Sequence, residues 1–265
     1  MARQHDGRGG GEVGQRHDTR EWTVNFSQRA YIRVSAALPA AISFRTDLLF
    51  PRLGMPELGP FNGQLKRQEI IRELLVAISF DEIVETGSFR GTTTKFLSDI
   101  SGLPVHSAEI AERFYRYAAT KCRGLPCIRL YRADSRKMLH MLSKRPGNPA
   151  LFFYLDAHWQ EDVPRYQELE IIEERWSRAV VMIDDFRVPG DPGYQFTSYH
   201  GTPLDVNYLP GLPGWEAFYP RCDSAEETGA KRGCVVLASP ELAPAVDALS
   251  SLRAGELTQQ SIPNG

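Results

Sequence analysis

Phe80-Asp81-Glu82-Ile83-Val84-Glu85-Thr86-Gly87-Ser88-Phe89-Arg90-Gly91 joins a short apolar run to two glycines, the pattern of a buried strand turning into a helix. The run 80–85 reads as a strand closed by Gly87. A helix begins near Gly91, with Thr92 to Thr94 in its first turn and Phe96, Leu97 and Ile100 facing inward. A glycine directly after a strand permits a tight turn, and a second at the helix start lets a ligand approach backbone amides.

The pattern extends on both sides. Upstream, Ile70, Ile71, Leu74, Leu75 and Ile78 recur at helical spacing over 63–79. Downstream, 104–109 reads as a strand, 111–123 as a helix, 127–132 as a strand and 135–144 as a helix. The almost wholly apolar run 150–156 reads as a strand buried on both faces, 164–176 as a helix started by Pro164, and 179–183 as another buried strand. Such alternation predicts an α/β doubly wound, mostly parallel sheet, whose ligands bind beyond the carboxyl ends of the strands.

Beyond the alternating segment, 186–214 is rich in Gly, Pro and Tyr and long enough for a substrate-covering loop. The apolar stretches 215–219 and 234–238 are expected to pair as an antiparallel hairpin at the sheet edge. A closing helix near 243–252 and a tail over 253–265 follow. The expected organisation is a disordered tail over 1–21, an N-terminal arm over 22–60 and one catalytic-sized domain over 61–252.

A formal net charge of -2 provides no global field for nucleic acid or an anionic membrane. No apolar run reaches membrane-spanning length, and the N-terminus lacks the core of a secretory signal, so the cytoplasm is the expected compartment. Cys122, Cys127, Cys222 and Cys234 form no zinc pattern and read as free thiols, with a Cys222–Cys234 bridge as the alternative. Apolar residues in the arm point to a homodimer.

Glu109 ends the second strand 24 residues after Glu85, where a carboxylate can accept hydrogen bonds from ribose hydroxyls. Asp134 and Ser135 follow the third strand, within reach of an adenine edge; the competing role for each is a helix cap. With these positions in view, Glu82 to Thr94 resembles motif I of class I S-adenosylmethionine-dependent methyltransferases. Phe89 replaces the middle glycine of the commonest form, which is similar to the catechol and macrocin O-methyltransferase-like branch. The resemblance covers about 62–240. It implies a Rossmann-like seven-stranded sheet ending in a reversed hairpin, with S-adenosylmethionine held by Glu85, Thr86, Gly87, Ser88, Phe89, Gly91, Glu109, Asp134 and Ser135.

Asp156, Asp184 and Asp185 follow the fourth and fifth strands. Three carboxylates at neighbouring strand ends repel one another, and a hard divalent cation such as Mg²⁺ is a usual offset. In the catechol-type branch, acids at these positions hold a metal that draws a substrate hydroxyl toward its alkoxide. His158, close to Asp156, is the candidate general base, histidine being the side chain that ordinarily titrates near neutrality. His200 is a second base candidate. Trp159 and Tyr194 are expected to wall a pocket, and His106 and His140 to be structural.

The implied activity is metal-assisted O-methylation of a hydroxyl on a sugar or secondary metabolite, the partner being a small-molecule acceptor. Two rivals compete with it. One is a metal-dependent hydroxylase or hydrolase using Asp156 and His158, an idea kept alive by cephalosporin hydroxylase-like labels for such sequences. The other is a non-catalytic cofactor-binding module.

Overall fold

The computed structural model describes residues 30–31, 34–35, 37–50, 58–158, 164–199 and 201–257. Trp159, His200 and the terminal tails as far as residue 29 and from 258 onward lie outside the described residues.

The glycine-flanked turn joins β1 (Glu82–Thr86) to α3 (Thr92–Ser101). Ahead of it lie α1 (Ala40–Leu49), a 3-10 turn (Pro60–Gly63) and α2 (Leu65–Ala77). After it come β2 (Val105–Ala108), α4 (Glu112–Lys121), β3 (Ile128–Tyr131), α5 (Ser135–Ser143), β4 (Leu151–Leu155), α6 (Arg165–Arg175) and β5 (Ala179–Asp184). The segment after β5 contains the two-residue strands β6 (Ser198–Tyr199) and β7 (Thr202–Pro203). It is followed by β8 (Glu216–Pro220), β9 (Cys234–Ala238), α7 (Ala243–Asp247) and β10 (Leu252–Gly255).

The main sheet has the order β10-β8-β9-β5-β4-β1-β2-β3. Strands β1 to β5 pair in parallel, while β9 runs antiparallel between β5 and β8. Residues of β4 and β5 alternate between two cores: Phe153, Leu155, Val181 and Ile183 on one face, Phe152, Tyr154, Val180 and Met182 on the other. Burial on both faces explains their unbroken apolar sequence.

Two details at the far edge differ from the sequence reading. The expected hairpin forms, but β9 is interior, and an eighth strand, β10, closes the sheet by pairing with β8. This strand occupies 252–255, read from sequence as the end of a helix and a tail. Only Leu252 is fully buried among its four residues, so no alternation marks it. Gly255 packs where a Cβ would strike the ring of Tyr219.

Helix α2 is capped from the opposite end of the chain. The Glu227 carboxylate accepts the Lys66 and Arg67 N–H groups, and the Thr228 hydroxyl accepts that of Leu65. Three otherwise orphaned helix donors are thereby satisfied by the segment between β8 and β9. Helix α1 packs on α4, where buried Asp47 accepts from Arg113 at 2.6 and 2.7 Å and from the Tyr31 hydroxyl at 3.0 Å. No described helix is long and apolar enough to cross a membrane.

Candidate cofactor and acceptor site

The chain crosses from one half of the sheet to the other between β1 and β4, and at such a switch point the carboxyl ends of the strands are where doubly wound sheets form a ligand crevice. Gly87 sits there at φ 88°; a Cβ on it would lie 2.9 Å from the backbone carbonyl of Asp156. That glycine is required twice over, by its left-handed backbone and by the passage of β4. Gly91 has another reason. Its missing side chain leaves room for Ala118 and Cys122 of α4, at 3.1 to 3.3 Å from an added Cβ. Helix packing is thus a requirement at Gly91 beside the ligand approach read from sequence.

Strand alternation sorts the remaining motif residues. Glu85 is fully buried and accepts hydroxyl hydrogen bonds from Thr94 and Ser107. Its Oε1 has no partner. Burial pushes its carboxyl up to about 7 despite those two hydroxyls. Thr86 points to the opposite face with an unpartnered Oγ1, and Ser88 is tied to the Ser107 hydroxyl. Phe89, at φ 46°, packs its ring at a tilt against Phe114 and donates its N–H to Glu109 at 2.8 Å. Glu109 also accepts from the Ala111 N–H at 2.8 Å; burial raises it to about 6 against these backbone donors. Neither Glu85 nor Glu109 meets a guanidinium or ammonium among the described residues.

Beyond β3, Asp134 is the N-cap of α5. Its oxygens take the backbone N–H and the guanidinium of Arg136, whose hydrogen bond holds the carboxyl below its usual range. Asp134 thus takes the cap role that the sequence also allowed. Ser135 is buried in the first turn of α5, beside Glu168 of α6. Glu168 was not singled out from sequence. It is fully buried, neither oxygen has a hydrogen-bond partner, and burial raises it to about 7, with Ser135, Arg165 and Thr86 opposing.

The three aspartates after β4 and β5 do not assemble as a metal centre. Asp184 lies on the face of Val180 and Met182, where it binds the Arg67 guanidinium and accepts from the Tyr154 hydroxyl at 2.9 Å. Burial pushes Asp184 up, but the Arg67 charge and hydrogen bond outweigh it and hold the carboxyl low. Asp185, at φ 60°, turns elsewhere: it accepts from Thr197 at 3.1 Å and lies 3.5 Å from Arg232. Asp156 lies 3.6 Å from Arg165. Burial, then Asp184 and Asp185, push Asp156 well up, and burial with Asp184 also raises Asp185.

Each carboxylate therefore faces its own arginine, and the residues present do not fit the expected Mg²⁺. Among the described residues no group of three His, Cys, Asp or Glu side chains could hold a metal. The expectation failed because arginines from distant segments supply the positive charge that like-charge repulsion demands. Arg67 and Arg165 were legible in one respect: each lies on the inward stripe of its helix, with Ile70, Ile71 and Leu74 or with Leu169 and Ile172. A cation on an apolar stripe calls for a buried anion.

His158 is exposed at the crevice, its Nδ1 3.4 Å from the Asp156 carbonyl. Tyr194 is corrected from pocket wall to core, where its hydroxyl lies 3.0 Å from Cys222 Sγ. All four cysteines are free. His106 packs against Tyr131 and lies 3.3 Å from Glu82, a structural position.

No protein-family model matches the chain, and no curated protein matches it in sequence. Solved structures do. The chain is similar to cofactor-bound Rv0187 from MTB at 14% identity, covering 82% of this chain and 98% of that one, with a TM-score of 0.51. It is also similar to a Klebsiella pneumoniae protein provisionally assigned as an O-methyltransferase, at 11% identity, 80% and 98% coverage and a TM-score of 0.50. The fold is a Rossmann-like methyltransferase fold. TomG, an O-methyltransferase from Streptomyces achromogenes solved with SAM, is 18% identical over 81% of this chain and 99% of its own, at a TM-score of 0.47.

Proposed function

We propose that the protein is an S-adenosylmethionine-dependent methyltransferase acting on a hydroxyl of a small-molecule acceptor. One observation carries this reading: Glu85 and Glu109 flank the Gly87 turn with no described counter-cation, and Glu85 keeps a buried oxygen without a partner. A pocket bounded by uncompensated carboxylates attracts a cationic ligand and repels a diphosphate-bearing dinucleotide. S-adenosylmethionine carries a sulfonium and an ammonium, so the donor set fits it. When bound, it supplies an activated methyl group.

The chain's own residues do the rest. Glu109 keeps lone pairs beyond those used by Phe89 and Ala111, and these suit ribose hydroxyls. Gly87 lets the turn after β1 pass against the Asp156 backbone, which brings the ends of β1 and β4 together at the proposed site. Asp156, with a side chain 28% exposed and a raised carboxyl, is placed to take the proton from an acceptor hydroxyl. His158 is the second candidate for that proton. The acceptor oxygen needs no metal to neutralise its surroundings, because Arg67, Arg165 and Arg232 already balance the aspartates. The hydrolase and hydroxylase reading loses its ligand set for the same reason.

Isothermal titration with S-adenosylhomocysteine tests the proposal. Saturable binding at micromolar concentrations is expected, and no binding at millimolar ligand would end it.

A further inference from the structure

We propose that the acceptor carries an anionic group, a carboxylate or a phosphate monoester, and that Arg232 binds it. The inference deepens the methyl-transfer reading by naming a substrate class for the same crevice.

The backbone of Arg232 is held with unusual redundancy for a residue whose side chain is 35% exposed. Fully buried Gln64 makes a two-point contact with it: Gln64 Nε2 donates to the Arg232 carbonyl at 2.8 Å, and the Arg232 N–H donates to Gln64 Oε1 at 2.9 Å. The Arg67 guanidinium donates to the same carbonyl. On one side Lys231 is held at φ 50°; on the other, a Cβ at Gly233 would fall 2.2 Å from the Phe186 carbonyl oxygen. A strained residue and an obligate glycine thus bracket one arginine, the kind of over-determined backbone that fixes functional groups.

The side chain so positioned does not close on its neighbour. Its Nε is the atom nearest Asp185, at 3.5 Å, beyond a good hydrogen bond. Its two terminal nitrogens have no partner among the described residues. A guanidinium placed only to neutralise Asp185 would engage the carboxylate with its fork, as Arg113 does with Asp47. Here the fork remains available to a planar or tetrahedral oxyanion. Arg165 adds to the local field: it is fully buried, its Nε and Nη2 make no hydrogen bond, and its charge acts on both Asp156 and Asp185. The Arg232 fork, with the Arg165 charge beside it, therefore leaves N–H donors beyond β5 that an anion can accept.

The test uses the full chain labelled with ¹⁵N, observed through arginine Nε–H signals at slightly acidic pH. Acetate, methyl phosphate and neutral acetamide are titrated with and without S-adenosylhomocysteine. One signal, absent from the spectrum of Arg232→Lys, should move saturably with acetate or methyl phosphate at a Kd below about 10 mM, and remain still with acetamide. Whichever anion saturates it more tightly identifies the group. The lysine variant keeps a cation beside Asp185, and its retained fold is read from the same spectra. The proposal is overturned if no arginine signal saturates, or if the responding signal survives in Arg232→Lys. S-adenosylhomocysteine affinity, measured separately, should be equal in both proteins. Its absence in the wild type would sink the cofactor reading and leave the anion result standing.

Discussion

The two halves of the crevice treat their carboxylates differently. Beyond β1 and β2, Glu85 and Glu109 are held by hydroxyls and backbone N–H groups and meet no cation. Beyond β4 and β5, Asp156, Asp184 and Asp185 each face an arginine. The first half lacks a positive charge that a ligand can bring. The second brings its own. Cation recognition and acceptor handling are thereby separated on one sheet edge, and each prediction below attacks one side of that division.

The largest effect belongs to the arginine-matched half. Arg67 and Asp184 are both about 1% exposed. Removing one partner of such a pair strands a charge in the interior, typically at about 3–5 kcal/mol. Arg67→Met should therefore lose stability on that scale in urea unfolding. The double variant Arg67→Met with Asp184→Leu should recover most of it, since no ion remains unpaired. A single variant that costs under about 1 kcal/mol would show that the pairing does not organise this half.

The unmatched half should show itself through pH. Glu85 and Glu168, raised to about 7, and Glu109, raised to about 6, hold protons in the folded chain that the unfolded chain releases near 4.5. Over that window the folded state binds more protons, so stability is present at the acidic end and lost as pH rises to 7. The lowered acids Asp184 and Asp134 act oppositely below about pH 4, which places the stability maximum at about pH 4. Glu168→Gln removes one contribution. It should approach wild type at about pH 4 and exceed it at about pH 8 by up to about 3 kcal/mol. Equal pH profiles for the two proteins would mean that Glu168 finds a partner when folded.

What was legible in the sequence divides along the same line. Period-two and period-3.6 patterns placed β1 to β5 with their helices, because burial on both faces of a parallel sheet leaves little choice of residue. Glu85, Gly87 and Glu109 could be placed at the ends of β1 and β2 because strand, turn and acid lie within one segment of 25 residues. The arginine partners were not, since Arg67 meets Asp184 across 117 positions and nothing local announces the encounter. Asp134 stayed open between cap and ligand because both use the same residue type at the same place. β10 escaped because four residues with one buried side chain carry no period.

A smaller effect should follow from Glu109→Gln. The glutamine oxygen can still accept from the protein backbone, but one acceptor and the negative charge are gone. A charge-assisted hydrogen bond contributes about 1.5–3 kcal/mol, so S-adenosylhomocysteine affinity by titration calorimetry should fall at least about tenfold with little change in Tm. The same substitution should leave the arginine response to acetate or methyl phosphate unchanged. If both readouts fall together, the two halves are not independent.

The smallest expected effect is the sharpest test of the second half. A divalent cation must displace an arginine before it can use Asp156, Asp184 or Asp185, and desolvating Mg²⁺ is itself costly. Millimolar Mg²⁺ or a chelator should therefore shift the wild-type Tm by no more than about 1 °C, since binding at Kd values well above the ion concentration adds little through mass action. Arg165→Met removes the charge opposite Asp156 and leaves Asp156 and Asp185 to repel each other without it. In that variant Mg²⁺ should raise Tm measurably, because the ion replaces the missing guanidinium. A wild-type protein stabilised by Mg²⁺ as strongly as the variant would mean that the arginines yield to metal, and the distinction between the two halves would fail.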